Sequence, residues 1–151
     1  MSHLLVSIDP DTHSHHWLEE LEKDSNGEIH LKLFKDPDLG WDFVQTHGPE
    51  INGVILETFL GTGCKILSEQ EKETVDVLEN GTLVGKKIRE KMPQLPIAFL
   101  THSRRQRHST MYQTLEATGY PIFCKYELMP FEFASQLAEI WKLPYQFPVK
   151  S

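Results

Sequence analysis

Residues 51–57 read INGVILE, a near-continuous apolar run that ends on a carboxylate, Glu57. Two later runs have the same form: residues 96–101, PIAFLT, end on Thr101, and residues 122–125, IFCK, end on Lys125. Strands that are apolar along their whole length are covered on both faces, as in a parallel sheet. The three runs therefore predict central strands of one parallel sheet, each followed by a polar side chain.

Two more strands and five helical patterns complete the predicted architecture. Residues 4–8, LLVSI, read as a buried strand, and residues 29–34 alternate between apolar and polar side chains, as in a half-buried edge strand. Helical patterns follow the strands, over residues 13–23, 36–47, 82–92, 109–118 and 130–142. Since parallel strands joined by helices use right-handed crossovers, we predict an α/β fold, a flavodoxin-like (βα)5 doubly wound sheet of strand order 2-1-3-4-5. Another doubly wound sheet, such as a Rossmann half, is the alternative.

The helical spacing also assigns apolar side chains to the core. In residues 36–47 it places Leu39, Phe43 and Val44 on the inner face, and in residues 130–142 it places Leu137 and Ile140 there. The histidines at the start of the first helix, His13, His15 and His16, lack the spacing of metal ligands and are expected to be solvated.

Residues 58–79 form an inserted segment after the third strand. Ser68 with Glu71 three residues later is a capping-box pattern, which predicts an extra short helix. The segment is either a lid or partner-specific arm, or a surface insertion that costs little in loop-closure entropy. Its acidic residues could pair with the basic segment at residues 104–108, RRQRH; they are Glu69, Glu71, Glu73, Asp76 and Glu79.

Composition restricts the classes of function. The 151 residues carry a formal charge of -7 and are 39% hydrophobic and 25% charged, which fits one globular domain over residues 1–151, with a tail at 143–151. Nucleic-acid binding is disfavoured because phosphate neutralisation needs clustered Lys and Arg. After the first strand Asp9, Pro10 and Asp11 stand where a dinucleotide fold has its glycine-rich turn, and no P-loop occurs, so nucleotide cofactors are also disfavoured.

The sequence also suggests a location. No apolar stretch approaches the roughly 18 residues of a membrane span, and no charged leader with a cleavage site is visible. Two cysteines, Cys64 and Cys124, are too few for a disulfide framework. We therefore expect a cytoplasmic protein without a membrane partner.

Polar residues follow four of the five predicted strands at their carboxyl ends. The set contains carboxylates, a hydroxyl and an ammonium: Asp9, Asp11, Glu57, Thr101 and Lys125. Such groups at one edge suit a divalent cation and a phosphoryl group, because the cation balances oxygen charge while Lys and Thr hold phosphoryl oxygens. The simpler alternative is that each is only a polar residue where the chain leaves the core.

In this order and spacing, the sequence resembles the receiver domain of two-component response regulators. The resemblance covers about residues 4–141 and rests on LLVSIDPD for the first strand with its acidic pair, INGVILE for the phosphoacceptor strand, ENGTLVGKKIRE for the third helix, LPIAFLT for the strand ending in Thr or Ser, and IFCK for the strand ending in Lys. It implies a phosphoacceptor site at Glu57 with Asp9, Asp11, Thr101 and Lys125, and Mg²⁺ as its cation, held by Asp9, Asp11 and Glu57.

The departures from the family pattern lie in the chemistry. Receivers have Asp where this chain has Glu57, whose added methylene moves the carboxylate by about 1.5 Å; misplacements of about 1 Å can cost a hundredfold in rate. Pro10 replaces the second acidic residue and offers no side-chain oxygen, so we expect Mg²⁺ binding to be lost or weak, because Mg²⁺ demands near-octahedral geometry. Tyr126 replaces the usual Pro after Lys125, and Ile122 replaces the aromatic switch residue.

The resemblance with these departures predicts a pseudo-receiver, a non-enzymatic module that acts through protein contacts. Its partner would be a sensor kinase, a downstream effector or a second copy, bound through a surface of Arg104, Arg105, Arg107, Tyr112, Ile122 and Tyr126. Glu57 would reach the place of a phosphoryl oxygen, with Thr101 and Lys125 as partners. The alternatives are an atypical phosphoacceptor response regulator that uses Mg²⁺, and a small phosphoester-handling enzyme that uses Asp9, Asp11 and the arginines.

Overall fold

A computed structural model describes residues 2–23, 25, 27–61, 64–74, 80–101, 113, 116–125 and 127–144. Five parallel strands form one sheet of order β2-β1-β3-β4-β5, namely β1 (His3–Ile8), β2 (Ile29–Phe34), β3 (Gly53–Leu56), β4 (Ile97–Thr101) and β5 (Ile122–Cys124). The helices are α1 (Thr12–Lys23), α2 (Pro37–His47), α3 (Glu69–Thr74), α4 (Asn80–Lys91) and α5 (Pro130–Trp141), with a 3₁₀ turn at Gly48–Glu50. This architecture confirms the predicted flavodoxin-like fold. Most of the helix predicted over residues 109–118 lies outside the described residues.

Successive side chains of the strands point to opposite faces of the sheet and belong to two apolar clusters, one on each face. On one face Val54 and Leu56 of β3 pack with Ile88 of α4. On the other face Ile55 packs in a cluster that includes Leu137 of α5. Both faces of β3 are therefore covered, which explains why its sequence is apolar throughout.

The described part of the inserted segment is packed into the domain. Its short helix α3 is present, and the predicted capping box is formed: the Glu71 amide donates to Ser68 Oγ at 3.1 Å, and the Ser68 amide donates to Glu71 Oε1 at 2.9 Å. Glu71 also pairs with Lys87 of α4 at 2.6 Å, and this hydrogen bond, together with those from Ser68, lowers the pKa of the Glu71 carboxyl to about 2. Since Cys64 and Leu67 are buried in the apolar cluster that contains Val54 and Ile88, this part of the inserted segment belongs to the core.

Two predicted core positions are wrong. Leu39 is 59% exposed and Ile140 is 51% exposed. The buried residues of α2 are Gly40, Trp41 and Val44, and an added Cβ at Gly40 would lie 2.8 Å from the Ile8 side chain, so the inner face is rotated away from Leu39. In α5 the last inward contact is made by Trp141, which lies over Gly53 of β3, and Ile140 is left at the edge of the buried face.

We expect Gly81→Ala to destabilise the protein, although alanine is the better helix former by about 1 kcal/mol. Gly81 lies in the first turn of α4, its amide donates to the Thr58 carbonyl at 2.7 Å, and an added Cβ would lie 2.8 Å from the Thr58 carbonyl oxygen and against the Glu57 carbonyl. Overpacking of this kind costs about 1–3 kcal/mol. Urea unfolding measures the change, with exposed Lys86→Ala as the control; equal stability of the two variants would contradict the prediction.

Candidate functional site

Strand register brings four predicted site residues to one edge of the sheet. Ile8 of β1 pairs with Leu56 of β3, so the residues that follow them, Asp9 and Glu57, leave the sheet side by side. The amide of Lys125 donates to the Thr101 carbonyl at 2.9 Å, which extends the β4–β5 ladder to the same edge. The convergence is a consequence of parallel strands that end together.

The centre of the site is an ion cluster. Lys125 Nζ lies 2.8 Å from Asp9 Oδ2 and 3.1 Å from Glu57 Oε2. The side chains of Lys125, Asp9 and Glu57 are only 12%, 4% and 1% exposed. Burial by itself lowers the pKa of the Lys125 ammonium, but the nearby Glu57 and Asp9 carboxylates outweigh this and raise it above its ordinary value. Lys125 is therefore held in its charged form.

Thr58 connects Glu57 to Thr101. Its amide and its hydroxyl both donate to Glu57 Oε1, at 2.7 and 3.0 Å, and its Oγ1 lies 3.0 Å from Thr101 Oγ1. A hydroxyl has one proton, so with the Thr58 proton on Glu57 the Thr101 hydroxyl is the donor between the two threonines. Thr101 thus reaches the carboxylate through Thr58, which was not among the predicted site residues.

Asp11 lies at the rim of the cluster. Its backbone amide donates to Asp9 Oδ1 at 2.8 Å, and the residue is exposed. Together with Asp9, Pro10 and Phe59 it lines a cavity of about 270 Å³. Asp11 therefore supports Asp9 through its backbone and contributes a carboxylate to the open side of the site.

The loop that carries Thr58 is held by the first turn of α4. Asn80 Oδ1 accepts from the Leu60 amide at 2.8 Å, and Asn80 Nδ2 donates to the Gly61 carbonyl at 2.6 Å. The Gly81 amide donates to the Thr58 carbonyl. Asn80 and Gly81 are therefore positioning residues, and the Asn-Gly pair ahead of the predicted helix at residues 82–92 was the signal for them in the sequence.

The site does not fit Mg²⁺ as it stands. Each carboxylate oxygen of Asp9 and Glu57 already accepts a hydrogen bond, and Pro10 contributes no side-chain oxygen. Within residues that the structure describes, no group of three or more His, Cys, Asp or Glu is arranged to hold a metal ion. A cation near Lys125 would also be repelled, since two like unit charges 4 Å apart cost about 4 kcal/mol at an effective dielectric constant of 20.

One histidine differs from expectation. His15 is buried at 7% exposure, whereas His16 is exposed as predicted. Burial lowers the pKa of the His15 imidazole, although the nearby Asp9 carboxylate opposes the shift. The solvated position predicted for His15 is therefore wrong, because the first turn of α1 folds against the Asp9 end of β1. The side chain of His13 lies outside the described residues.

The predicted partner surface is described only in part. Ile122 is partly buried and packs against the apolar cluster that contains Val54 and Ile88. The remaining residues of that surface lie outside the described part of the chain; they are Arg104, Arg105, Arg107, Tyr112 and Tyr126.

Solved structures share this fold. The isolated REC domain of RcsB from Salmonella enterica serovar Typhimurium, determined with the phosphomimetic BeF3-, matches with a TM-score of 0.67 and 14% identity over 99% of this chain and 95% of that one. A response regulator from Thermotoga maritima matches at 0.68 with 10% identity, over 94% and 99% of the two chains. The chain has the fold of a response-regulator receiver domain. The Mn(2+)-bound response regulator Rcp1 matches this receiver fold at 0.64 with 15% identity, over 97% and 99%.

Comparisons of sequence add nothing to the structural match. No protein-family profile and no curated protein matches the chain. At 10–15% identity the likeness of the solved structures establishes the receiver fold alone. Among the described helices, none is long and apolar enough to cross a membrane.

We expect Lys125→Met to lower the free energy of unfolding by about 3–5 kcal/mol at neutral pH, because it leaves two buried carboxylates without their counter-charge. The difference from wild type should be complete below pH 10.5, the ordinary pKa of Lys, and should shrink as the pH rises through the higher pKa of the folded state. Urea unfolding across this pH range measures it. A loss no greater than that of Lys86→Met, at an exposed lysine of α4, would contradict the assigned role of the ion cluster.

Proposed function

We propose that this receiver-fold chain is a cytoplasmic signalling module that acts through protein contacts, without transfer of a phosphoryl group to Glu57. The proposal rests on the Glu57 carboxylate, which is buried and has both oxygens hydrogen-bonded. Its side chain is 1% exposed, Oε1 accepts from the amide and hydroxyl of Thr58, and Oε2 accepts from Lys125.

Phosphoryl transfer has requirements that this arrangement opposes. The attacking oxygen must lie in line with the leaving oxygen, and a cation must neutralise the charge on the transferred group. Here the donors on Glu57 would have to be displaced before an oxygen could approach phosphorus, and the cluster does not fit Mg²⁺. The added methylene of Glu57 also moves the carboxylate away from the position of a shorter aspartate.

The contacts of Glu57 support a module that is held in one signalling state without phosphorylation. It is bonded to Lys125 directly and to Thr101 through the Thr58 hydroxyl, so a negative group is permanently held by the two residue types that resemble the phosphoryl ligands of receivers. A carboxylate carries one charge and a phosphoryl group carries nearly two, so the mimicry is partial. The module would present one surface to its partner without a phosphorylation cycle.

The partner that fits this proposal is a protein: a sensor kinase, a downstream effector or a second copy of the chain. The chain has a net charge of -7 but contains a basic segment at residues 104–108, RRQRH. A basic segment in an acidic chain favours an acidic partner surface, because complementary charges steer association and exclude wrong partners.

Incubation with acetyl phosphate and Mg²⁺, followed by intact-mass measurement, tests the absence of phosphoryl transfer. We expect wild type to gain no adduct under conditions in which a receiver with aspartate at this position becomes stoichiometrically phosphorylated. Glu57→Gln is the matched control. A stoichiometric adduct on wild type that is absent from Glu57→Gln would contradict the proposal and favour the Mg²⁺-dependent phosphoacceptor.

Charge reversal tests the contact surface. We expect the combined variant Arg104→Glu, Arg105→Glu and Arg107→Glu to bind a kinase or effector encoded beside this chain's gene at least about tenfold more weakly. Titration calorimetry of the purified pair measures the affinity, with and without acetyl phosphate. Affinity that survives the reversal, or that rises after acetyl phosphate treatment, would contradict the proposed mode of action.

A further inference from the structure

The ion cluster has a complete set of donors. Asp9 Oδ1 accepts from the Asp11 amide, Glu57 Oε1 accepts from Thr58, and the two remaining oxygens both accept from Lys125 Nζ, at 2.8 and 3.1 Å. The ammonium therefore lies at the point on which the two carboxylates converge. In a carboxylate pair of this kind, that is the position of a bound cation.

The electrostatics give the ammonium the role of a counter-ion. Two buried carboxylates cannot remain charged together without a positive group, because desolvation and mutual repulsion oppose both charges. Lys125 supplies that group, and its side chain is 12% exposed, so solvent contributes little to the balance. One ammonium balances only one of the two carboxylates, and the hydrogen bonds from Thr58 and Asp11 stabilise the negative charge that remains.

We propose that the Lys125 ammonium is the resident cation of this site and that it takes the place of a divalent metal ion. Divalent cations are then excluded from the wild-type protein, whose stability and structure do not depend on them. The proposal rests on the function proposed above and deepens it, since a site closed by its own lysine needs neither metal nor phosphate to hold its conformation.

A lysine in the place of a metal ion differs from a merely structural salt bridge in what its removal leaves behind. Removal of the ammonium leaves two convergent carboxylate oxygens, Asp9 Oδ2 and Glu57 Oε2, and Asp9 lines a cavity of about 270 Å³. Mg²⁺ and Mn²⁺ are held in proteins by one or two carboxylates with water in the other positions. Replacement of Lys125 by a neutral residue should therefore create a divalent-cation site.

Titration with MnCl2, read out by thermal unfolding and by paramagnetic broadening of amide signals, tests this on the full chain. Wild type should show no shift in its unfolding temperature between EDTA and millimolar Mn²⁺. Lys125→Met, and Lys125→Gln as a second neutral variant, should bind Mn²⁺ at least about tenfold more tightly than wild type and recover stability with it. The gain should be lost when Glu57→Gln is added to either variant.

Each result decides the proposal. If the lysine variants fold only with Mn²⁺ present, or gain stability with it, the proposal is supported. Binding of Mn²⁺ by wild type as tightly as by the variants overturns it, and so does failure of Mn²⁺ to stabilise or rescue both variants. If Mn²⁺ does not bind the variants more tightly and wild type gains no adduct from acetyl phosphate, only the counter-ion role of Lys125 is overturned. If wild type does gain the adduct, the proposed function is overturned as well.

Discussion

One ammonium group between two buried carboxylates determines the state of the carboxyl edge of this sheet. Lys125 lies 116 positions from Asp9 and 68 positions from Glu57 in the chain, yet its Nζ donates to both. The contact therefore exists only when the first, third and fifth strands are aligned in one sheet. A buried charge without its partner is far more costly than the pair is favourable, so the cluster selects the conformation in which all three residues meet.

The loops around the cluster follow from the same constraint. Glu57 still has an oxygen to satisfy after Lys125 has taken the other, and Thr58 satisfies it with both its amide and its hydroxyl. This requires the chain to turn tightly after β3, where Asn80 and Gly81 at the start of α4 hold it. Gly81 is required there because a side chain would collide with the carbonyl groups of the turn. The ion cluster, the turn and the helix start are thus one unit.

Much of this could be predicted from the sequence, and for a physical reason. Strands that are apolar throughout can only lie inside a covered parallel sheet, and the carboxyl ends of such strands share one edge, so the meeting of Asp9, Glu57 and Lys125 follows from where three apolar runs end. The role of Thr58 could not be predicted, because it depends on the path of a turn. The burial of His15 and the exposure of Leu39 and Ile140 depend on how each helix is rotated about its axis, which close contacts such as Gly40 on Ile8 determine and periodicity does not.

The receiver fold is kept here while the groups that would carry out its chemistry are rearranged. The core positions and the strand-end lysine and threonine are those of the resemblance, whereas the carboxylate on β3 is longer and the neighbouring loop has Pro10. The packing of the two apolar clusters is unaffected, and both oxygens of the Glu57 carboxylate accept hydrogen bonds from Thr58 and Lys125. The arrangement is what the proposed function, a docking module with a single state, requires.

The engaged state of the Glu57 carboxylate can be measured in the amide spectrum of the ¹⁵N-labelled protein before and after addition of beryllofluoride with Mg²⁺. The amide signals of Asp11, Thr58 and Lys125 should not move, because the Asp9 and Glu57 carboxylate oxygens that Mg²⁺ and the phosphoryl analogue would have to engage already accept hydrogen bonds within the cluster. Shifts of these three amides that saturate at one equivalent would show that the carboxylate accepts a phosphoryl analogue, and would contradict the account.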